Sequence, residues 1–293
     1  MLPNDPLPDA SATGRGRDRE TSAPPAGSKL RIGCSSWTSE AWVGRVYPEG
    51  LPDADRLAWY ARFWDSVEVD ATYYRAPSAD LVRRWARVSP PGFCFTLKFP
   101  RELLDPRRAL RTERIAAFLE TVTLLGPKLG AVLLQFPPWF KPGRASPFLA
   151  ELLGRLEPRV RYSVELRDAG WFSGEIFERL QRSLSERRVA LAWSYLTYVD
   201  VPPAVTSDFV YLRFIGDHTS VPAVTHGEVR VDRTEAVDRW ATRLRDRLKG
   251  LAAAFVFFNN HFAGFAPASL NDFRRARGLP PIAYAPQRRT LDG

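Results

Sequence analysis

Several residue types and patterns are scarce in this chain of 293 residues, and each scarcity excludes something. There are two cysteines, Cys34 and Cys94, too few for a disulfide framework and not spaced as a metal-binding pair, so they read as reduced thiols. No apolar run approaches the ~20 residues that cross a bilayer. The N-terminus carries no basic, apolar, small-residue signal for export. A cytoplasmic protein without membrane partners is expected. No G-x-G-x-x-G, Walker sequence, G-x-S-x-G or Ser-His-Asp order occurs, which argues against a dinucleotide fold, a P-loop and a serine hydrolase. Lysine is rare too, with Lys29, Lys98, Lys128, Lys141 and Lys249 against many arginines.

The chain is otherwise ordinary for a globular protein, 45% hydrophobic and 26% charged, with a formal charge of +9. A basic balance favours nucleic acid through counterion release. Many arginines sit beside Asp or Glu, however, which is also the mark of a solvated surface. Residues 1–28 are rich in Pro, Gly, Ser and charge and nearly free of apolar side chains, the composition of a disordered tail. A barrel domain is expected over 29–278, followed by a C-terminal extension over 279–293.

From Leu30 onward, short apolar runs alternate with amphipathic stretches. Eight strands are predicted: 30–34, 66–70, 93–98, 130–136, 162–166, 189–194, 209–214 and 254–259. Helical spacing marks 53–64, 79–88 behind the N-cap Ser78, 112–126, 146–156, 174–188 and 231–250. The stretch after Ser194 is irregular. Eight alternations over about 250 residues give the rhythm of a (β/α)8 TIM barrel with parallel strands. A doubly wound open sheet would bring a glycine-rich loop after its first strand, and "GCSSWTSEAW" is not one.

Strand alternation then sorts the polar residues. In "SVEVDATYY", Val67 and Val69 share one face while Glu68 and Asp70 share the other. Unpartnered buried carboxylates are costly, so these two must point to partners or solvent. Lys98 ends the third strand, Gln135 the fourth, Glu165 and Arg167 the fifth, Arg213 the seventh and Asn259 the eighth. The ends of barrel strands are where active sites lie.

The stretches "IGCSSWTSEAWVGRVYPEG", "VEVDATYYRAPS", "FTLKFPREL", "LLQFPPWF", "VELRDAGWF", "YLRFIGD" and "FFNNHFAG" together resemble the YecE-like family, DUF72, over residues 31–277. The resemblance implies a TIM barrel and no established reaction. It maps recurring polar positions onto Trp37, Glu68, Thr72, Tyr74, Lys98, Gln135, Glu165, Arg167 and Arg213. Asp70 stands where the family usually has Asn, and Ala71 replaces a small hydroxyl residue. Leu104, Asp105 and Ile215 fall where many members carry Thr-His and a His before Gly. A histidine base or ligand at those places therefore lacks its residue.

The expected chemistry follows from these residue types. Glu68 and Glu165 are acid–base candidates, and Lys98 is a base or electrophile with a tunable amine. Arg167 and Arg213 suit an anion clamp, with Trp37, Asp70, Tyr74, Gln135 and Asn259 lining a substrate. Of the three histidines, His218 and His261 can reach the mouth and His226 lies in a loop. With Asp217 they make at most a thin zinc site, and Mg²⁺ would compete with Lys and Arg for the carboxylates. Neither a bound metal nor a cofactor is expected. The favoured reading is a metal-independent hydrolase, lyase or isomerase acting on a small anionic ligand such as a phosphorylated or acidic sugar. The alternatives are a nucleic-acid-binding or repair-associated protein with a basic, aromatic-lined mouth, and a non-catalytic ligand-binding barrel. The oligomeric state is left open.

Overall fold

The computed structural model describes residues 30–143 and 145–284. The expected tail over 1–28 lies outside the described residues, as do residues 29, 144 and 285–293 of the expected domain and extension. Eight parallel strands close on themselves in chain order: β1 (Leu30–Ser35), β2 (Ser66–Val69), β3 (Cys94–Lys98), β4 (Leu129–Gln135), β5 (Tyr162–Glu165), β6 (Ala190–Tyr195), β7 (Phe209–Phe214) and β8 (Ala253–Phe258). Each predicted strand is present within a residue or so at either end. β1 pairs with both β2 and β8, so the sheet has no open edge and the open-sheet alternative is excluded.

The helices are α1 (Arg56–Tyr60), α2 (Ala79–Val88), α3 (Thr112–Thr123), α4 (Ala145–Gly154), α5 (Gly174–Glu186), α6 (Thr234–Arg247), α7 (Asn260–Ala263) and α8 (Ala266–Ala276). The α2 start is where its cap predicts it. Ser78 Oγ accepts the Leu81 N–H at 3.3 Å, and Val82 and Trp85 face the barrel. Helix α8 is not among the predicted helices; it packs between α6 and the β1–β8 seam, and its buried residues include the polar Asn271 and Arg274, which break the apolar pattern. Pro267 in its first turn was the available signal. Between β6 and β7 no helix lies among the described residues. That loop is held instead by Thr206, whose Oγ1 accepts from Leu191 N–H and donates to Val189 C=O. Residues 279–284 fold back on α8, where Asn271 and Ile282 exchange two hydrogen bonds. None of the described helices is long and apolar enough to cross a membrane.

The barrel interior has two characters. Its lower part is apolar, with small Ala131, Ala190 and Ala192 set among large Phe209, Phe255 and Phe257. Outward-facing Val67, Leu97, Leu134, Val164 and Leu212 pack under the helices. Each such buried side chain contributes roughly 1.5–3 kcal/mol. The upper part is polar, and it is there that the strand ends converge.

Candidate functional site

Glu68 and Glu165 enter the barrel from β2 and β5 and are both fully buried. Arg213 from β7 lies between them. Its Nε donates to Glu68 Oε2 at 2.8 Å and its Nη2 to Glu68 Oε1 at 2.7 Å. Its Nη1 donates to Glu165 Oε2 and, at 3.1 Å, to Gln135 Oε1. The remaining carboxylate positions are also taken. Ser35 Oγ and Tyr211 OH donate to Glu68, at 2.8 and 2.7 Å. Ser194 Oγ and Arg167 Nε donate to Glu165, at 2.7 and 2.6 Å. Tyr211 OH also meets Thr96 Oγ1 at 2.8 Å. This satisfies a buried ionic cluster of the kind that is otherwise costly.

The electrostatics follow from that wiring. Burial pushes the Glu68 carboxyl up, but the charges of Arg213 and then Lys98 outweigh it and hold it below the usual range. Glu165 is also buried, and Arg167 and Arg213 hold it far below the usual range. Arg213 is pushed well up: burial opposes its charge, and the two glutamates more than offset that. Burial first, then the Glu68 charge, raises Tyr211 well above an ordinary phenol.

Nearer the surface lies a second pair. Lys98 Nζ is 2.9 Å from Asp70 Oδ1, the Lys98 side chain 9% and the Asp70 side chain 26% exposed. Asp70 stands at the top of β2, in the short 3-10 turn Asp70–Tyr73. That turn is pinned by Thr72 Oγ1, which faces the carbonyls of Val69 at 2.9 Å and Lys98 at 2.7 Å. Burial raises the Asp70 pKa, Lys98 opposes the rise, and Glu68 adds to it. Lys98 also lies 5.6 Å over the Tyr73 ring. Beside the pair, Ser36 adopts φ of 98°, an unfavourable conformation for a non-glycine residue, with its N–H on the Glu68 carbonyl at 2.8 Å.

The other expected site residues are spread more widely. Gln135 is buried in the cluster, and Arg167 sits at its rim with one carboxylate partner, Glu165. Trp37 is buried edge-on to Trp85, with ring centroids 5.7 Å apart. Tyr74 is 69% exposed on the rim, under the Arg101 guanidinium. The Asn259 side-chain oxygen accepts the His261 N–H and so starts α7. Trp42 and Trp171 are buried core residues, stacked on Tyr60 and Phe140. Sequence reasoning left Ser35, Thr96, Ser194 and Tyr211 out of the site. Thr96 and Tyr211 share the inward faces of β3 and β7 with Lys98 and Arg213, while Ser35 and Ser194 stand at the ends of β1 and β6, and those places were the signal that could have found them.

All three histidines gather at the β7–β8 corner. The His218 and His261 ring centroids are 3.7 Å apart, and those of His226 and His261 are 4.4 Å apart. His261 Nδ1 bonds the Val221 carbonyl at 2.7 Å. Asp217 is committed to its own loop, accepting from Ser220, Thr197 and Thr219. Among the described residues, no three His, Cys, Asp or Glu side chains are arranged to hold a metal ion.

A closed parallel barrel with a polar cluster at its strand ends defines the TIM-barrel class of protein. The chain belongs to the family described as "Protein of unknown function DUF72", whose profile matches residues 31–289. It is similar to the UPF0759 protein YecE of Escherichia coli K12, 32% identical over 163 residues, which are 55% of this chain and 57% of that one. It is also similar to the UPF0759 protein YunF of Bacillus subtilis 168, 26% identical over 157 residues, 51% of this chain and 55% of that one. The chain thus matches just over half the length of these curated relatives. Two solved DUF72 structures share the fold. EF0366 of Enterococcus faecalis V583 has a TM-score of 0.70 at 21% identity, covering 90% of this chain and 100% of that one. TM1631 of Thermotoga maritima MSB8 has a TM-score of 0.70 at 23% identity, covering 85% and 98%.

Proposed function

We propose that the chain is an enzyme that uses acid–base chemistry on a small anionic polar substrate, a phosphorylated or acidic sugar, with Lys98 and Asp70 as its proton-handling pair. The observation that carries this reading is the Lys98–Asp70 contact of 2.9 Å at the mouth. It joins a carboxyl whose pKa burial has raised to an ammonium that can meet a developing oxyanion. Asp70 takes a proton from the substrate, Lys98 stabilises the negative charge left on oxygen, and return of the proton at a neighbouring atom completes an isomerisation. Loss of a β-leaving group instead gives an elimination.

Glu68 and Glu165 serve this reading as positioning residues. Their oxygens are all engaged and their acid forms are disfavoured, so neither is ready to give up a proton. Arg213 has the same role, since all three of its nitrogens already donate to the cluster. Arg167 is the anion contact, because it keeps one edge for Glu165 and stands at the rim. The reading uses no metal, because the carboxylates that would ligate one are held by guanidinium and ammonium groups.

The test is a thermal-shift screen of sugar phosphates, sugar acids and short DNA at low and moderate salt, on wild type, Lys98→Met and Asp70→Asn. Ligands that bind only the folded chain raise Tm. Hits are then incubated in deuterium oxide and followed by NMR. A salt-tolerant shift with a small anion, lost in Lys98→Met, with deuterium wash-in lost in both variants, is expected. A shift with DNA alone that vanishes with salt and survives Lys98→Met overturns the reading in favour of the nucleic-acid alternative. Binding without wash-in or any other turnover moves it to the non-catalytic barrel.

A further inference from the structure

Beside the mouth lies a second cavity of about 480 Å³, reached past Tyr73 and built by the loops that follow β3 and β4. We propose that this side pocket binds a nucleoside phosphate unit, with its base against Trp139 and its phosphate on the guanidinium groups of Arg101 and Arg108.

The size is that of a pocket for one small ligand, since such sites run ~300–1,000 Å³. The wall is a large flat ring, because Trp139 is 51% exposed where most tryptophans of this chain are buried. Exposing half an indole in a concave site wastes apolar surface unless something flat covers it. Arg107 lies 5.0 Å over one face of the Trp139 ring, so a stacked base takes the other face or displaces this guanidinium.

The charges of the lining sort into used and unused. Arg107 makes two parallel bonds to Asp105, Nε to Oδ1 at 2.8 Å and Nη2 to Oδ2 at 2.9 Å. Chiefly through the Arg107 hydrogen bond, this holds the Asp105 carboxyl down at about 2. Glu102 is bonded by Arg114. Both pocket carboxylates are thereby neutralised. Arg108 is left with a long 3.6 Å contact to the already satisfied Asp105. Arg101 lies over Tyr74 and pairs with no carboxylate among the described residues. Two guanidinium groups therefore face the cavity with donors to give, and phosphate is the group they fit bidentately.

The same sorting separates a nucleotide from a sugar phosphate. Sugar hydroxyls want free carboxylate or amide acceptors beside the aromatic wall, and Glu102 and Asp105 are already occupied. A base needs only the flat face, because stacking is tolerant of its edge pattern. The site stands whether or not Lys98 and Asp70 carry out chemistry.

The test is isothermal titration of the whole chain at moderate salt with AMP, ribose 5-phosphate and a short oligo(dT). The proteins are wild type, Trp139→Ala, Trp139→Phe, the double variant Arg101→Ala/Arg108→Ala, and Lys98→Met. AMP affinity is expected to fall about fivefold or more in Trp139→Ala and to recover in Trp139→Phe, because stacking is lost and restored. It should fall about tenfold or more in the double arginine variant and hold in Lys98→Met. Ribose 5-phosphate should feel the arginines and not Trp139. Tighter, salt-sensitive oligo(dT) binding with the same variant pattern means the unit is read within a strand; AMP binding alone means a free nucleotide. No AMP or oligo(dT) binding, or binding indifferent to Trp139, overturns the site. An AMP isotherm that survives while the Lys98-dependent thermal shifts fail removes the acid–base reading and leaves this one.

Discussion

Arg213 and Glu68 meet edge to edge in the barrel interior, with Nε on Oε2 at 2.8 Å and Nη2 on Oε1 at 2.7 Å, from β7 and β2, which are not neighbours in the closed sheet. The same guanidinium also holds Glu165. One cation thus serves two fully buried carboxylates, and the upper barrel depends on it.

Arg213→Met should therefore destabilise the fold by about 3–5 kcal/mol, the usual result of leaving a buried charge uncompensated. Adding Glu68→Gln and Glu165→Gln should recover part of the loss, since the two fully buried carboxylates that Arg213 served are then neutral. Urea denaturation of the single and triple variants measures both. A single variant as stable as wild type would show that the cluster is not held by this cation.

Acid should weaken the protein in two stages. Burial, with the other histidines adding to it, lowers His226 to about 4 and lowers His218 as well. A base with a depressed folded pKa stabilises the fold above its ordinary value near 6.5, and that stability is lost as pH falls toward the folded value. Glu68 and Glu165 are depressed acids. Their contribution is present above about 4.3 and disappears as pH falls through their lower folded values. A plot of Tm against pH should decline first below about 6.5 and again below about 4.3. His226→Gln should flatten the first decline and leave the second.

Gly33 lies where β1 crosses close to β2. A Cβ there would sit 2.0 Å from the Ser66 carbonyl oxygen, and backbone cannot step aside cheaply. Gly33→Ala should cost roughly 1–3 kcal/mol or more, as overpacking does. Gly154, at the end of α4 with open space around it, is the control. Gly154→Ala should be neutral or stabilising by up to about 1 kcal/mol. Thermal melts of the two variants decide it.

Both thiols should be silent in the native chain. Burial raises Cys34 strongly and pushes Cys94 up to about 12, so little thiolate exists near neutral pH. Iodoacetamide is expected to label neither residue in buffer and both in denaturant, read by mass spectrometry. Native labelling of Cys94 would show that the lower barrel opens, and of Cys34 that the core outside the sheet does.

The strands and most helices were legible because each is a local matter. Apolar runs of strand length, the Ser78 cap and the 3.6-residue spacing over 112–126 need no knowledge of the rest of the chain. Helix α8 escaped because two of its buried residues, Asn271 and Arg274, are polar and blur the apolar period. Among the site residues, alternation along the strands put Glu68, Lys98, Gln135, Glu165 and Arg213 on one interior, where hydrogen bonds from Arg213 join Glu68, Gln135 and Glu165. Alternation could not say that Asn259 caps a helix or that Trp37 packs on Trp85 of α2, because Asn259 and Trp37 lie beyond the strand ends.

The sequence by itself determined the barrel, since eight alternating segments without a phosphate loop leave few other ways to bury them. It also determined which faces are polar, because the strand period is two. Only the tertiary structure decided how those polar groups are shared. Arg213 takes both buried glutamates, and Lys98 is left to Asp70. Pairing among charges depends on distances between strands far apart in the chain, and closure of the barrel sets those distances.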